Sequence, residues 1–99
     1  MKFYIVAFDR SGGVARKAFH EEFVAHSAIR YWWHYVQSVY LVGSDTLTAK
    51  TLADHYSAVA IKHGIPKTHL VLRVNLDTRW GWLPKEAWEW IDRVKSEDK

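Results

Sequence analysis

Hydrophobic and polar positions follow two rhythms along this chain, and the switches between them mark its elements. KFYIVAF, residues 2–8, alternates Phe3, Ile5 and Ala7 with Tyr4, Val6 and Phe8. Its β-branched and aromatic content predicts a strand, and apolar residues on both faces predict a central one covered on both sides. Asp9-Arg10-Ser11-Gly12-Gly13 then reads as a turn. Residues 14–29 switch to helical spacing, with Ala15, Ala18, Phe19 and Phe23 on one stripe and Arg16, Lys17, His20 and Glu21 away from it. Residues 30–44, RYWWHYVQSVYLVGS, return to β composition, either as one long strand or as two strands broken at Gln37-Ser38. The glycine or asparagine of a tight hairpin is missing there, so composition leaves both readings open.

Residues 47–63 carry the clearest helical period, placing Ala49, Leu52, Ala53, Tyr56, Val59, Ala60 and His63 on one face. Thr48 is its expected N-cap, Gly64 its C′ residue, and Pro66 follows the stop. Residues 68–76 predict a strand with Leu70, Leu72, Val74 and Leu76 on one face and Val71 and Arg73 on the other. A last helix is expected over 80–95, with Pro84 in its first turn and Leu83, Ala87, Trp90, Ile91 and Val94 as its stripe. Beyond Lys95 the polar end is expected to fray.

With a hairpin in the middle, the order is β-α-β-β-α-β: an α+β, ferredoxin-like antiparallel sheet with a C-terminal Trp-rich helix. It forms one domain over 1–99, a core of 1–79 and a tail helix of 80–95. Two helices cover one sheet face, and the apolar second face needs another cover. WGWLPKEAWEW, residues 80–90, holds four tryptophans. They are expected to pack on that face or between two copies of the chain, since an indole combines a large apolar ring with one polar N–H. Stacking on nucleic acid is the competing use.

At 99 residues the core is modest, which makes oligomerisation a natural remedy. With no cysteine, disulfides and thiolate metal sites are excluded. No apolar run reaches the ~20 residues of a membrane span, and MKFYIVAFDR is too soon charged for a signal peptide, so the expected setting is cytoplasmic. Net charge is +3, and the excess lies before residue 80, where ten basic residues face six acidic ones. That balance favours a polyanionic partner only mildly.

Candidate chemistry is sparse. The six histidines show no HExxH or His-x-His spacing, so zinc has no motif. His34, in the aromatic strand, would suit a general base in a metal-free ribonuclease, or a packed ring. Trp32, Trp33, Tyr35 and Tyr40 could stack bases, but the glycine, aromatic and basic run of RNA-binding sheets is missing. There is no phosphate-binding glycine loop and no nucleophile elbow.

FYIVAFD, VQSVYLV and HLVLRVNL, in this order, resemble the Cas-two-type CRISPR-associated endoribonuclease family. Trp32-Trp33-His34-Tyr35 and the GWLPKEAW tail are similar to uncharacterised small bacterial proteins labelled "SinR family". The resemblance implies the hairpin at Gln37-Ser38, a ferredoxin-like fold and a homodimer. It also implies that Asp9 is a metal ligand and catalytic residue, two copies holding Mg²⁺ between subunits at a scissile phosphate. Asp9 otherwise reads as a turn former. Arg10, Arg16, Lys17 and Arg30 are the expected phosphate contacts near that edge, each also an ordinary surface cation. Trp33, Tyr35, Trp80, Trp82 and Trp88 are the expected dimer interface, although the tryptophan tail departs from the Cas-two pattern. The functional expectation is a nucleic-acid-interacting homodimer acting on RNA or DNA, with a Mg²⁺-dependent nuclease as its catalytic form. A non-catalytic scaffold is the rival, and a histidine-based toxin-type ribonuclease a third reading.

Overall fold

The computed structural model describes residues 1–10 and 16–95. The turn expected at Ser11-Gly12-Gly13, the expected helix start at Val14-Ala15 and the end beyond Lys95 lie outside the described residues. Seven elements follow one another: β1 (Lys2–Phe8), α1 (Lys17–Val24), β2 (Tyr31–Val36), β3 (Val39–Ser44), α2 (Ala49–Lys62), β4 (His69–Val74) and α3 (Lys85–Val94). The four strands form one antiparallel sheet in the order β2-β3-β1-β4. As its two-sided apolar pattern predicts, β1 is internal.

The middle segment is a hairpin turning at Gln37-Ser38 without a glycine. A register shift in β2 between Trp33 and Val36 adjusts the twist there. The turn is tied to β1, because Phe8 N–H donates to the Ser38 carbonyl at 2.9 Å and the Arg10 guanidinium to that of Gln37 at 3.3 Å.

The first helix is shorter than its periodicity predicts. It ends at Val24, where the 14–29 stripe would carry it five residues further. His26 is the reason: its Nδ1 accepts the Ala28 N–H at 3.0 Å and its carbonyl accepts the Ile29 N–H at 3.0 Å. These bonds replace helical ones and swing Ile29 into the core. Ala18, expected on the apolar stripe, faces solvent, while Phe19 and Phe23 are buried.

The second helix starts and stops where the sequence signals it. Thr48 and Thr51 form a reciprocal capping box. At the other end Gly64 takes φ +66°, its N–H reaching the Ile61 carbonyl at 3.2 Å and the Ile65 N–H that of Ala60 at 2.9 Å. That bond pair is a Schellman motif, and buried Ile65 supplies its apolar contact.

Each sheet face has its own core. Tyr4, Val6, Phe8, Tyr40 and Val42 pack beneath α1 and α2 with Phe19, Phe23, Leu52 and Tyr56. On the other face Phe3, Trp33 and Leu41 pack against Leu76 and the Ala87, Ile91 and Val94 stripe of α3. The Phe3 ring lies so close over β3 that a Cβ at position 43 would sit 2.8 Å from it, which is why Gly43 stands there. Pro84 precedes the first turn of α3 as its N-cap instead of lying inside it. The helix is pinned by the Trp33 indole N–H, which donates to the Ala87 carbonyl at 3.3 Å, and by an Arg79–Asp92 ion pair.

Candidate nucleic-acid interface

Rows of paired residues show how much of the second face α3 covers. The row Tyr31, Gly43, Phe3 and Val74 lies under the helix. In the next row Trp33 and Leu41 are buried, Ile5 is half-buried and Leu72 is 52 % exposed. Among the described residues no helix lies over the last row, Val36, Val39, Ala7 and Leu70, and Leu70 is 57 % exposed. Trp80 and Trp82, on the segment leading into α3, are 100 % and 99 % exposed. A cleft of about 260 Å³ runs between this segment and the sheet, lined by Ile5, Trp33, Leu41, Trp80, Leu83 and Trp88 among others.

The expected interface residues therefore separate. Trp33 is 6 % exposed and enclosed by its own chain, where the sequence reading set it at the dimer surface. Trp88 is half-buried in the same cluster. Tyr35, Trp80 and Trp82 are exposed around the open half of the sheet. Strand alternation could not separate them, because the cover on Trp33 comes from a helix fifty residues away.

At the end of β1, next to the open half, the chain gathers cations. Asp9 follows β1 with its side chain exposed; its N–H donates to the Thr68 carbonyl at 3.1 Å and its carbonyl accepts from Arg16 at 2.6 Å. Arg10 lies beside the hairpin turn, Lys17 is exposed at the start of α1, and exposed Lys67 precedes Thr68. Arg16 also stacks over the Phe8 ring at 4.9 Å. Arg30, expected in this group, stands at the opposite end of the sheet, where Tyr31 pairs with Gly43 and Gly43 with Phe3. That is roughly 20 Å away along β1. There Arg30 pairs with Asp45 at 2.8 Å, which holds the Asp45 carboxyl below its ordinary range. The cause of the separation is topological: residue 30 enters β2, which runs in the same direction as β1.

Among the described residues no three of His, Asp and Glu come together as a metal-binding group. One exposed carboxylate beside two guanidiniums does not amount to a Mg²⁺ site within one protomer, since the ion is held through carboxylate and phosphate oxygens.

Behind the cationic end lies a ring cluster that no spacing in the sequence signals. His20 of α1, His34 of β2 and Tyr40 of β3 meet there, with His34 4.3 Å from Tyr40 and 5.9 Å from His20 between ring centroids. Exposed Trp32 meets His20 edge-on at 4.9 Å. His20 was expected on the polar side of its helix, but it is half-buried, its Nδ1 2.7 Å from the Tyr40 hydroxyl. Only pairing of β2 with β3 brings His34 opposite Tyr40; the available signal was their shared face in the hairpin. Burial raises the Tyr40 hydroxyl well above the ordinary tyrosine range.

Histidine burial gives the fold a pH dependence. His20 is lowered from 6.5 by burial and then by His34, and His26 from 6.5 by burial and then by His55, 4.6 Å away. Below pH 6.5 the unfolded chain takes up protons that the folded one resists, so this stability is complete above 6.5 and is lost as pH falls through the lowered values. Glu22, lowered from 4.5 by Lys62 and then His63, adds a further loss at lower pH. The urea midpoint is expected to fall between pH 7.5 and 5.5; an unchanged or higher midpoint at 5.5 would refute this.

Among the described residues no helix is long and apolar enough to cross a membrane. No protein-family model, curated protein or solved structure matches the chain.

Proposed function

We propose that this chain is one protomer of a cytoplasmic homodimer of ferredoxin-like architecture that binds nucleic acid. The observation that carries the reading is the open half of the second sheet face, bordered by exposed Trp80 and Trp82 and by the cationic end of β1. The strand order β2-β3-β1-β4, with α1 and α2 on one face, supports the fold assignment.

A second copy is the occupant that fits the open half. Its rows, Ile5 with Leu72 and Val36, Val39, Ala7 with Leu70, carry no charge, which suits a self-complementary two-fold contact. Burying Tyr35, Val36, Leu70, Leu72, Trp80 and Trp82 on both copies would remove on the order of 1,200 Å² from water, the lower end of specific interfaces. Four cations at the neighbouring end, Arg10, Arg16, Lys17 and Lys67, stand against Asp9 and Glu21, and phosphate contacts of this kind bind RNA and DNA alike.

Mg²⁺-dependent cleavage is the second reading. It is favoured by the position of Asp9 beside the open half, where two-fold docking would draw two copies of the residue towards each other. Magnesium belongs to this reading only as an ion shared between two copies.

The test is fluorescence anisotropy with single-stranded RNA and duplex DNA across a salt series. Joint replacement Arg10→Ala and Lys17→Ala is expected to weaken binding and to reduce the salt slope on the single strand by about 1.4, two phosphate contacts' worth. Arg30→Ala, at the far end, is expected to change neither. Equal effects from Arg30→Ala would remove the cationic end as the interface. A dimer that binds neither nucleic acid would favour the scaffold reading.

A further inference from the structure

We propose that His34 is the general base of a metal-free RNA-cleaving site, with the His20 Nε2–H donating to the phosphoryl oxygen and Trp32 stacking a neighbouring base. The inference rests on the nucleic-acid reading above and adds a substrate class, single-stranded RNA, and a chemistry.

The two ring tautomers follow from their partners. The His34 Nδ1 lies 2.8 Å from the Val39 carbonyl oxygen, which can only accept, so the proton sits on Nδ1. The Nε2 of neutral His34 is then a lone pair, the form a base requires. His20 is set the other way. Its Nδ1 lies 2.7 Å from the hydroxyl of buried Tyr40, and among the described residues that hydroxyl has no other partner. A buried O–H without an acceptor is costly, so Tyr40 donates to Nδ1 and the His20 proton sits on Nε2. The pair thus presents one acceptor and one donor nitrogen on rings 5.9 Å apart, and among the described residues neither Nε2 has a hydrogen-bond partner.

The surroundings suit a ribonucleotide. Arg10 reaches the turn that follows His34, and Arg16 lies over Phe8, whose ring is 6.0 Å from His34. Trp32, 40 % exposed, meets His20 edge-on and leaves a π face for a base. RNA supplies its own nucleophile. His34 Nε2 would take the proton of a 2′-hydroxyl as the 2′-oxygen bonds to phosphorus and the bond from phosphorus to the 5′-oxygen breaks. The departing oxygen takes a proton from water. The products are a 2′,3′-cyclic phosphate and a 5′-hydroxyl, with the resulting hydroxide and the proton on His34 returned to solvent as water. The His20 Nε2–H and the guanidiniums would stabilise the negative charge gathering on the phosphoryl oxygens.

The probe is a labelled single-stranded RNA with its matched DNA, each incubated with wild type in EDTA and followed for binding and cleavage. RNA cleavage in EDTA, products ending in 2′,3′-cyclic phosphate, and intact DNA are expected. His34→Ala is expected to bind RNA as wild type does and to cleave at least ~100-fold more slowly, with added imidazole restoring part of the rate. RNA that is bound but not cut in EDTA, DNA cut equally well, or undiminished cleavage by His34→Ala would overturn the inference while leaving the binding reading standing. Failure to bind RNA would overturn both.

Discussion

Replacing Trp33 with alanine is expected to cost about 3–5 kcal/mol, a large share of what holds a chain this size folded. Trp33 is the buried contact between β2 and α3, beside the more exposed Tyr31–Trp90 ring pair: it sits with Leu41 and Ile91 in the second core and its indole N–H meets the Ala87 carbonyl. Truncation leaves a cavity and removes the indole's hydrogen bond to the helix that covers half of the sheet. The helix lies against strands from three other segments, so its release exposes Phe3 and Leu41 as well. Urea unfolding monitored by near-UV circular dichroism should show the midpoint collapse. Trp33→Phe, which keeps most of the ring volume, should lose clearly less. A Trp33→Ala loss below about 1 kcal/mol would mean that α3 is not held in this way.

Replacing Trp80 and Trp82 together with serine is expected to raise the dimer dissociation constant by on the order of 10³-fold, two aromatic hot spots' worth. Both rings project from the same segment beside the open rows of the sheet, and neither contributes to the buried cores. The monomer fold should therefore survive: far-UV circular dichroism should keep its shape while sedimentation equilibrium reports the lower mass. An unchanged dissociation constant would remove the open half as the contact surface. Loss of folded signal would instead assign the two rings to the protomer.

The contrast between these tryptophans marks what the sequence could say. Local chemistry was legible. The two-sided apolar pattern of residues 2–8 places β1 inside the sheet, Thr48 and Gly64 bracket α2, and the stripe of Ala87, Ile91 and Val94 faces the core. Each depends on neighbours within a few residues. The end of α1 was not legible, because the bonds of His26 outcompete a helical pattern that continues to Ile29. Long-range placement was not legible either. Trp33 and Trp80 have the same composition-level signal, and only the docking of α3 decides which is covered. Arg30 reads like Arg10 in sequence and stands at the other end of the sheet because β2 and β1 run in the same direction. His20, His34 and Tyr40 come from three elements, so no spacing motif announces their meeting.

Native mass spectrometry of the wild-type protein with a short single-stranded RNA tests the central claim most directly, since it weighs chain number and bound strand together. The expected result is a species of two 11.6 kDa chains carrying RNA, with the two-chain form persisting when RNA is withheld. A single chain at every concentration, with no RNA adduct, would contradict both the second copy on the open sheet face and the nucleic acid at the cationic end.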